Sequence, residues 1–281
     1  HSINTLGHSI KKTIIKPRMG WQPIDWKELW RYKDLFYFLV WRDIKTRYAQ
    51  SVLGIGWAVI QPIFSMIVFT IVFGKLAKIN SDGVPYAIFS YTALVPWTYF
   101  SGGLTGASGS LLGASGMMTK VYFPRLVIPL APVMAKLVDF CIAFIILLLM
   151  MFYFGFTPTI NIIYLPGLIL LMMLTASGMG MWLTAMAVQY RDINYAMSFF
   201  VQLLMYVAPV VYPASNIPES FRLIYGCFPM VGVIEGFRSI LLQTNPIPWD
   251  LIGVGSVVAL IFFISGAFYF RRMEKYFADI A

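Results

Sequence analysis

The chain has 281 residues, of which 59% are hydrophobic, 17% aromatic and 12% charged, and it carries a formal net charge of +9. Soluble domains hold about 45–50% apolar and about 25% charged residues, so an ordinary soluble fold is excluded. On a membrane chain a basic excess first reports which loops face the cytoplasm, so no nucleic-acid partner is expected.

In chain order, residues 1–25 are polar and lack the apolar core that opens a secretory signal, and they read as a cytoplasmic tail. Residues 26–50 read as an amphipathic interface helix. There Tyr37, Val40, Trp41, Ile44 and Tyr48 recur at helical spacing among Arg31, Lys33, Arg42, Lys45 and Arg47. The longest wholly apolar run, 35–41, is too short to cross a bilayer core, which takes about 20 residues. Rings suit the headgroup layer, and bases suit lipid phosphates or a partner protein. A cytoplasmic helix packed on the bundle is the other reading.

Residues 51–281 read as a transmembrane domain. Charge-free runs cover 83–119, 140–190, 193–218 and 251–270. As one helix the second run, 51 residues long, would extend about 76 Å, more than twice the hydrocarbon core. It therefore turns back at 155–161, where Gly155 and Pro158 interrupt the helical pattern. Six spans result, at about 52–73, 86–112, 127–154, 162–188, 193–212 and 251–270. A β-barrel would show alternating segments of about ten residues instead, so the expected fold is all-α. An even count puts both termini on one side. Sixteen of the 21 Lys and Arg residues fall there and four, Lys75, Lys78, Arg222 and Arg238, on the other, which predicts cytoplasmic termini.

Several residues do not belong to a plain bundle. Lys136 and Asp139 stand at i,i+3 inside the third span, where charges are expensive; they suit a structural ion pair, with a transport role as the alternative. Asp139 is the one acid deep in a span and the histidines are His1 and His8, which argues against proton coupling. Between the fifth and sixth spans, the uncharged stretch 223–234 is too short to cross and holds Gly226 and Pro229. It reads as re-entrant gate helices over about 214–242, or else as an outer loop with an amphipathic helix; Glu235 and Arg238 are spaced to pair. In the second span, Gly102/Gly106 and Gly109/Gly113 favour close helix packing, and Tyr91, Trp97 and Tyr99 suit either packing or stacking on sugars.

No energy-coupling or catalytic motif accompanies these features. A P-loop around Gly74-Lys75 would need Gly at 69 and Ser or Thr at 76, where Phe69 and Leu76 stand. No metal-ligand cluster or Ser/His/Asp set is visible, so no cofactor, metal or catalytic residue is expected in this chain. A membrane enzyme acting on polyprenyl-linked sugars is a weaker reading, since Asp43, Asp82 and Asp192 are scattered.

The segments WRDIKTRYAQSVLGIGWAVIQP (41–62), DGVPYAIFSYTALVPWTYFS (82–101), KVYFPRLVIPLAPV (120–133), YRDIN (190–194), PVVYPASNIP (209–218), FPMVGVIEGFR (228–238) and FRRMEKYFADIA (270–281) resemble ABC-2 type permease subunits that export polysaccharides and polyol phosphates. The resemblance runs from about residue 25 to the end and is strongest to O-antigen permeases, with teichoic-acid permeases related. It implies a homodimer with two copies of a separate ATPase that binds ATP and Mg. That assembly would move an undecaprenyl-pyrophosphate-linked polymer across the bacterial inner membrane. Capsule, teichoic acid, lipid or drug export are the alternatives. The resemblance also implies that 113–126 seats in the ATPase, and that the path lies between two permeases along the first, second and fifth spans. By position it makes Arg42, Asp43, Lys120, Arg125, Arg191 and Asp192 candidates for ATPase coupling or the cytoplasmic entrance. Phe64, Phe69, Tyr91, Trp97, Tyr99, Phe199 and Tyr206 become candidates for an aromatic path. A pyrophosphate headgroup is expected to meet Arg42, Lys45 and Arg47, because an anion does not enter lipid unpaired; holding anionic membrane lipid is the other role for these bases.

Overall fold

Without water to satisfy them, backbone N–H and C=O groups bond within their own segment, so long apolar stretches fold as helices. The computed structural model describes residues 24–49 and 51–277, and most of the expected tail over 1–25 lies outside them. Among the described residues there are twelve α-helices and no strand. Helices α1 (Trp26–Arg31) and α2 (Lys33–Ala49) precede α3 (Gly56–Phe69), which continues as a π-helical segment over Thr70–Leu76. Next come α4 (Tyr86–Gly113), the short α5 (Ser115–Lys120), and α6 (Val127–Ala135) with α7 (Leu137–Phe154), parted only at Lys136. A 3-10 turn then leads into α8 (Leu165–Gln189), followed by α9 (Asp192–Val207), α10 (Arg222–Gly226), α11 (Pro229–Leu242) and α12 (Trp249–Phe277).

Four stretches among the described residues are long and apolar enough to cross a bilayer: Gly56–Leu76, Val127–Phe154, Ile160–Gln189 and Trp249–Phe277. A fifth is added if Glu219–Gly226 and Pro229–Leu242, which bend by 109° at their junction, form one broken span. Two expected spans differ from these. Helix α4 has the length, at 28 residues, but Ser, Thr, Tyr and Gly make it more polar, and its neighbours bury most of it. Helix α9 has only 16 residues. It stops because Ala208 precedes Pro209, and a residue before proline is driven out of the helical region; Ala208 is extended, at φ −71° and ψ 150°. The predicted turn at Gly155 is present, with Gly155 left-handed at φ +82° closing α7.

The core has two parts. One surrounds α4 and is built with α7, α8, α9 and α11. The other joins Leu39 of α2, Met118 and Phe123 of the segment after α4, Met181 of α8, and Phe270 and Phe277 of α12. It gathers the interface helix, the 113–127 segment and the ends of α8 and α12 at one end of the bundle. Helices α8 and α12 touch backbone to backbone, since a methyl group on Gly178 would meet the Phe263 nitrogen at 2.8 Å. Interhelical attraction in lipid depends on such close packing.

Helix α2 rests on the bundle through one face. Leu39 is its fully buried residue, flanked by Leu35, Phe36 and Val40, while Tyr37, Phe38 and Trp41 stay exposed. Lys33 lies over the Trp30 ring and Lys45 over Trp41, at 4.7 and 5.3 Å from the ring centroids. Rings and bases therefore share the outer surface.

Candidate functional site

At the end closed by the second core, the six residues proposed for coupling fall into three places. Arg42 and Asp43 lie on α2; burial pushes the Asp43 carboxyl above the usual carboxylate range, against the pull of Arg42 and Arg47. Lys120 is exposed at the end of α5, and Arg125 donates to the Met118 sulfur at 3.6 Å. The Tyr122 hydroxyl donates to Glu28 Oε1 at 2.8 Å, tying the 113–126 segment to α1. Arg191 and Asp192 are exposed at the α8–α9 turn, where Arg191, Gln189 and Asn194 edge a cavity of about 870 Å³ with Leu112 and Met273 in its walls.

Deeper in, the expected i,i+3 pair is present at the α6–α7 junction, with Lys136 Nζ 2.8 Å from Asp139 Oδ2. It belongs to a larger cluster. Arg47 Nη1 lies 3.1 Å from the same oxygen, and the Tyr48 hydroxyl donates to Oδ1. One carboxylate thus anchors the end of α2 to the start of α7 and is shared by two cations. Of the bases expected to meet a headgroup, Arg42 and Lys45 face outward, while Arg47 turns inward to Asp139. Tyr48 and the remote partnership of Arg47 with Asp139 were missed in sequence, because residues 92 apart show no spacing signal.

The second expected pair is also present, with Arg238 Nη1 3.3 Å from Glu235 Oε1. Arg238 is completely buried and donates to four carbonyls: Phe89 (3.2 Å), Val210 (2.7 Å), Tyr212 (3.4 Å) and Pro209. Its guanidinium carbon sits 3.6 Å from the Phe89 ring centroid, and Glu235 accepts the Ala214 N–H at 2.9 Å. The pair binds α11 to α4 and to the broken chain after α9. Asp82 adds a clasp at this end, accepting from Ser215 and Asn245 at 3.1 and 3.0 Å.

The seven rings proposed for the path separate by burial. Tyr91, Trp97 and Tyr99 are in the core, and the two tyrosine hydroxyls each donate at 3.0 Å, to the Ala143 and Val133 carbonyls. Phe69 is half-buried against Phe73. Phe64, Phe199 and Tyr206 are 62%, 64% and 52% exposed. On α9, Tyr195, Phe199, Leu203 and Tyr206 form one exposed stripe, opposite the buried Met197. Tyr195 was missed in sequence although it stands four residues before Phe199. No group of three His, Cys, Asp or Glu side chains able to hold a metal occurs among the described residues.

Residues 34–242 match the family described as ABC-2 type transporter. The chain is 27% identical over 257 residues to the O-antigen export system permease protein RfbA of Myxococcus xanthus, covering 90% of this chain and 98% of that one. It is 25% identical over 248 residues to an RfbA of Klebsiella pneumoniae, covering 88% and 95%. A third relative, the polysialic acid transport protein KpsM of Escherichia coli, is 19% identical over 240 residues, covering 83% and 91%. With three-quarters of its length inside the family match and curated relatives that are transport permeases, this membrane chain belongs to the ABC-2 type transporter family and is a permease, not an enzyme.

Proposed function

We propose that the chain is the permease subunit of an ATP-driven exporter moving undecaprenyl-diphosphate-linked polysaccharide of the O-antigen type from the cytoplasm to the periplasm. The reading is carried by the match to O-antigen export permeases along 90% of the chain. Two copies assemble in the bacterial inner membrane with two copies of an ATPase that binds ATP and Mg. Both termini are cytoplasmic, as the Lys and Arg distribution favours. Six passages complete the topology: α4 crosses surrounded by protein, α9 crosses as a short helix, and α10 with α11 re-enters as the outer gate, where Arg238 supplies the hydrogen bonds that lipid cannot. Residues 26–49 lie along the cytoplasmic surface with Trp30, Tyr37 and Trp41 among lipid headgroups. Arg42, Asp43, Lys120, Arg125, Arg191 and Asp192 face the ATPase or the entrance, Arg42 and Lys45 meet the lipid headgroup first, and Phe64, Phe199 and Tyr206 line the path. The similarity to KpsM favours capsule export as the second reading.

Deleting the gene in its host is expected to abolish the long surface polysaccharide and to accumulate the lipid-linked polymer at the cytoplasmic face. Retention of normal surface polysaccharide would sink the reading. Loss of an acidic capsule alone would favour the second.

A further inference from the structure

The Asp139 cluster faces a cavity of about 250 Å³ between the end of α2, the start of α3, the middle of α4 and the start of α7. By volume it holds about eight waters, enough room for one or two phosphoryl groups. Its charged lining residues are Arg47, Lys136 and Asp139, and the Tyr48 hydroxyl, Gln61 amide and Thr98 hydroxyl add polar groups to the wall. Two cations therefore face one carboxylate, leaving one positive charge in excess. The two cations converge on a single oxygen, Asp139 Oδ2, at 3.1 and 2.8 Å. The side chains of Arg47, Lys136 and Asp139 are 32%, 17% and 12% exposed, so the cluster is shielded but open to an entering group.

Placement of the lysine is built into the backbone. A methyl group on Gly102 would overlap Lys136 Cε, so the bare glycine of α4 is what lets the lysine stem lie along that helix with Nζ at the carboxylate. A guanidinium fork beside an ammonium is the donor set that suits a tetrahedral phosphoryl oxyanion. A surplus charge beneath the membrane surface is costly unless paired, which gives an anion a reason to enter.

We infer that this cavity is a phosphoryl-binding site: Arg47 and Lys136 hold the oxyanion, and Asp139 is the internal counter-anion that keeps the two cations together until it arrives. That the oxyanion is delivered as the diphosphate of a lipid-linked substrate rests on the export reading above; the site itself rests on the geometry. Asp139 and the ligand then compete for the same donors. This gives the carboxylate an effect opposite in sign to the bases, which a purely structural ion pair would not have.

The test uses the full chain in phosphatidylcholine nanodiscs, titrated calorimetrically with inorganic diphosphate and, separately, with undecaprenyl diphosphate. Lys136→Met is expected to weaken binding about tenfold or more, the scale of one charge-assisted hydrogen bond, and Asp139→Asn to tighten it several-fold. Should Lys136→Met fail to fold, Lys136→Met/Asp139→Leu keeps the cluster's net charge and is expected to elute as folded protein and to bind about tenfold or more weakly than Asp139→Asn. Binding of both ligands with these effects supports a site that takes the phosphoryl group from either source. Binding of the lipid alone, with the same effects, supports a site served only from the membrane. Absence of binding, binding indifferent to Lys136→Met, or a double variant that binds as tightly as Asp139→Asn overturns the site; weaker binding by folded Asp139→Asn overturns the counter-anion role. Export is measured in parallel: diphosphate binding without polysaccharide export would discard the export reading and leave the site, whereas export without binding would do the reverse.

Discussion

Pro209, Val210 and Tyr212 present their carbonyls beyond the last turn of α9, and Arg238, reaching from α11, donates to all three and to Phe89. A charge buried completely is tolerable only with such partners, because desolvation costs several kcal/mol unless geometry and hydrogen bonds offset it. Arg238→Ala is therefore expected to destabilise the protein by about 3–5 kcal/mol, leaving Glu235 without its counter-ion and the carbonyls without their donor, as read from thermal unfolding in detergent. Arg238→Lys should recover only part of this. It keeps the charge but loses the fork that reaches carbonyls on different sides through Nε, Nη1 and Nη2. Glu235→Gln should cost less, because the amide oxygen still accepts the Ala214 N–H. A result in which all three variants melt like the unaltered protein would mean that Arg238 does not hold α11 to α4 and to the chain after α9.

At the scale of elements, the same physics explains what was legible in the sequence. The reversal at Gly155 and the position of α12 over the 251–270 run follow from apolar runs and punctuation, which are local properties, whereas the continuation of α12 through charged residues to Phe277 does not. The 16-residue length of α9 was legible in principle, since Ala208-Pro209 ends a helix, yet a charge-free run extending to 218 conceals the stop. The i,i+3 pairs were readable from spacing. Their remote partners, Arg47 and Tyr48 for Asp139 and the 209–212 carbonyls for Arg238, arise only from packing. The deep burial of Leu39 was hidden for a related reason: apolar residues occur on more than one face of α2, and only its neighbours select Leu39. Helix contact itself gives a sharp test at the α8–α12 crossing. Gly178→Val must push backbone from backbone, because its Cβ would already stand 2.8 Å from the Phe263 nitrogen. A loss of at least about 1–3 kcal/mol is expected in thermal unfolding, whereas Gly167→Ala, which meets nothing within 4 Å, should be neutral.

Among the described residues of the whole molecule, two exposed apolar surfaces differ in character, and the proposed assembly assigns them different surroundings. On α7, Ile145, Leu149 and Phe152 are 57%, 61% and 86% exposed and purely hydrocarbon or phenyl in character, as a lipid-facing surface should be. On α9, the stripe of Tyr195, Phe199, Leu203 and Tyr206 mixes hydroxyls with rings, and Gln202 is exposed beside it. Rings of this kind offer flat faces to successive sugars, and the hydroxyls and amide need water or substrate that lipid does not supply. If α9 lines a path between two copies, single cysteines at Phe199 and Tyr206 should react with a membrane-impermeant maleimide during ATP turnover, while cysteines at Leu149 and Phe152 should not. The background would carry Cys141→Ser and Cys227→Ser, since both natural cysteines are exposed. Tyr195→Ala, Phe199→Ala and Tyr206→Ala should each lower export about fivefold or more with little change in melting temperature, by analogy with the cost of about 1–3 kcal/mol for removing a stacking ring. Tyr91→Phe and Tyr99→Phe, which lose one buried hydrogen bond each, should lower stability by about 1 kcal/mol and leave export intact. Equal labelling of the two helices, or export that follows the buried tyrosines instead of the α9 stripe, would place the path elsewhere.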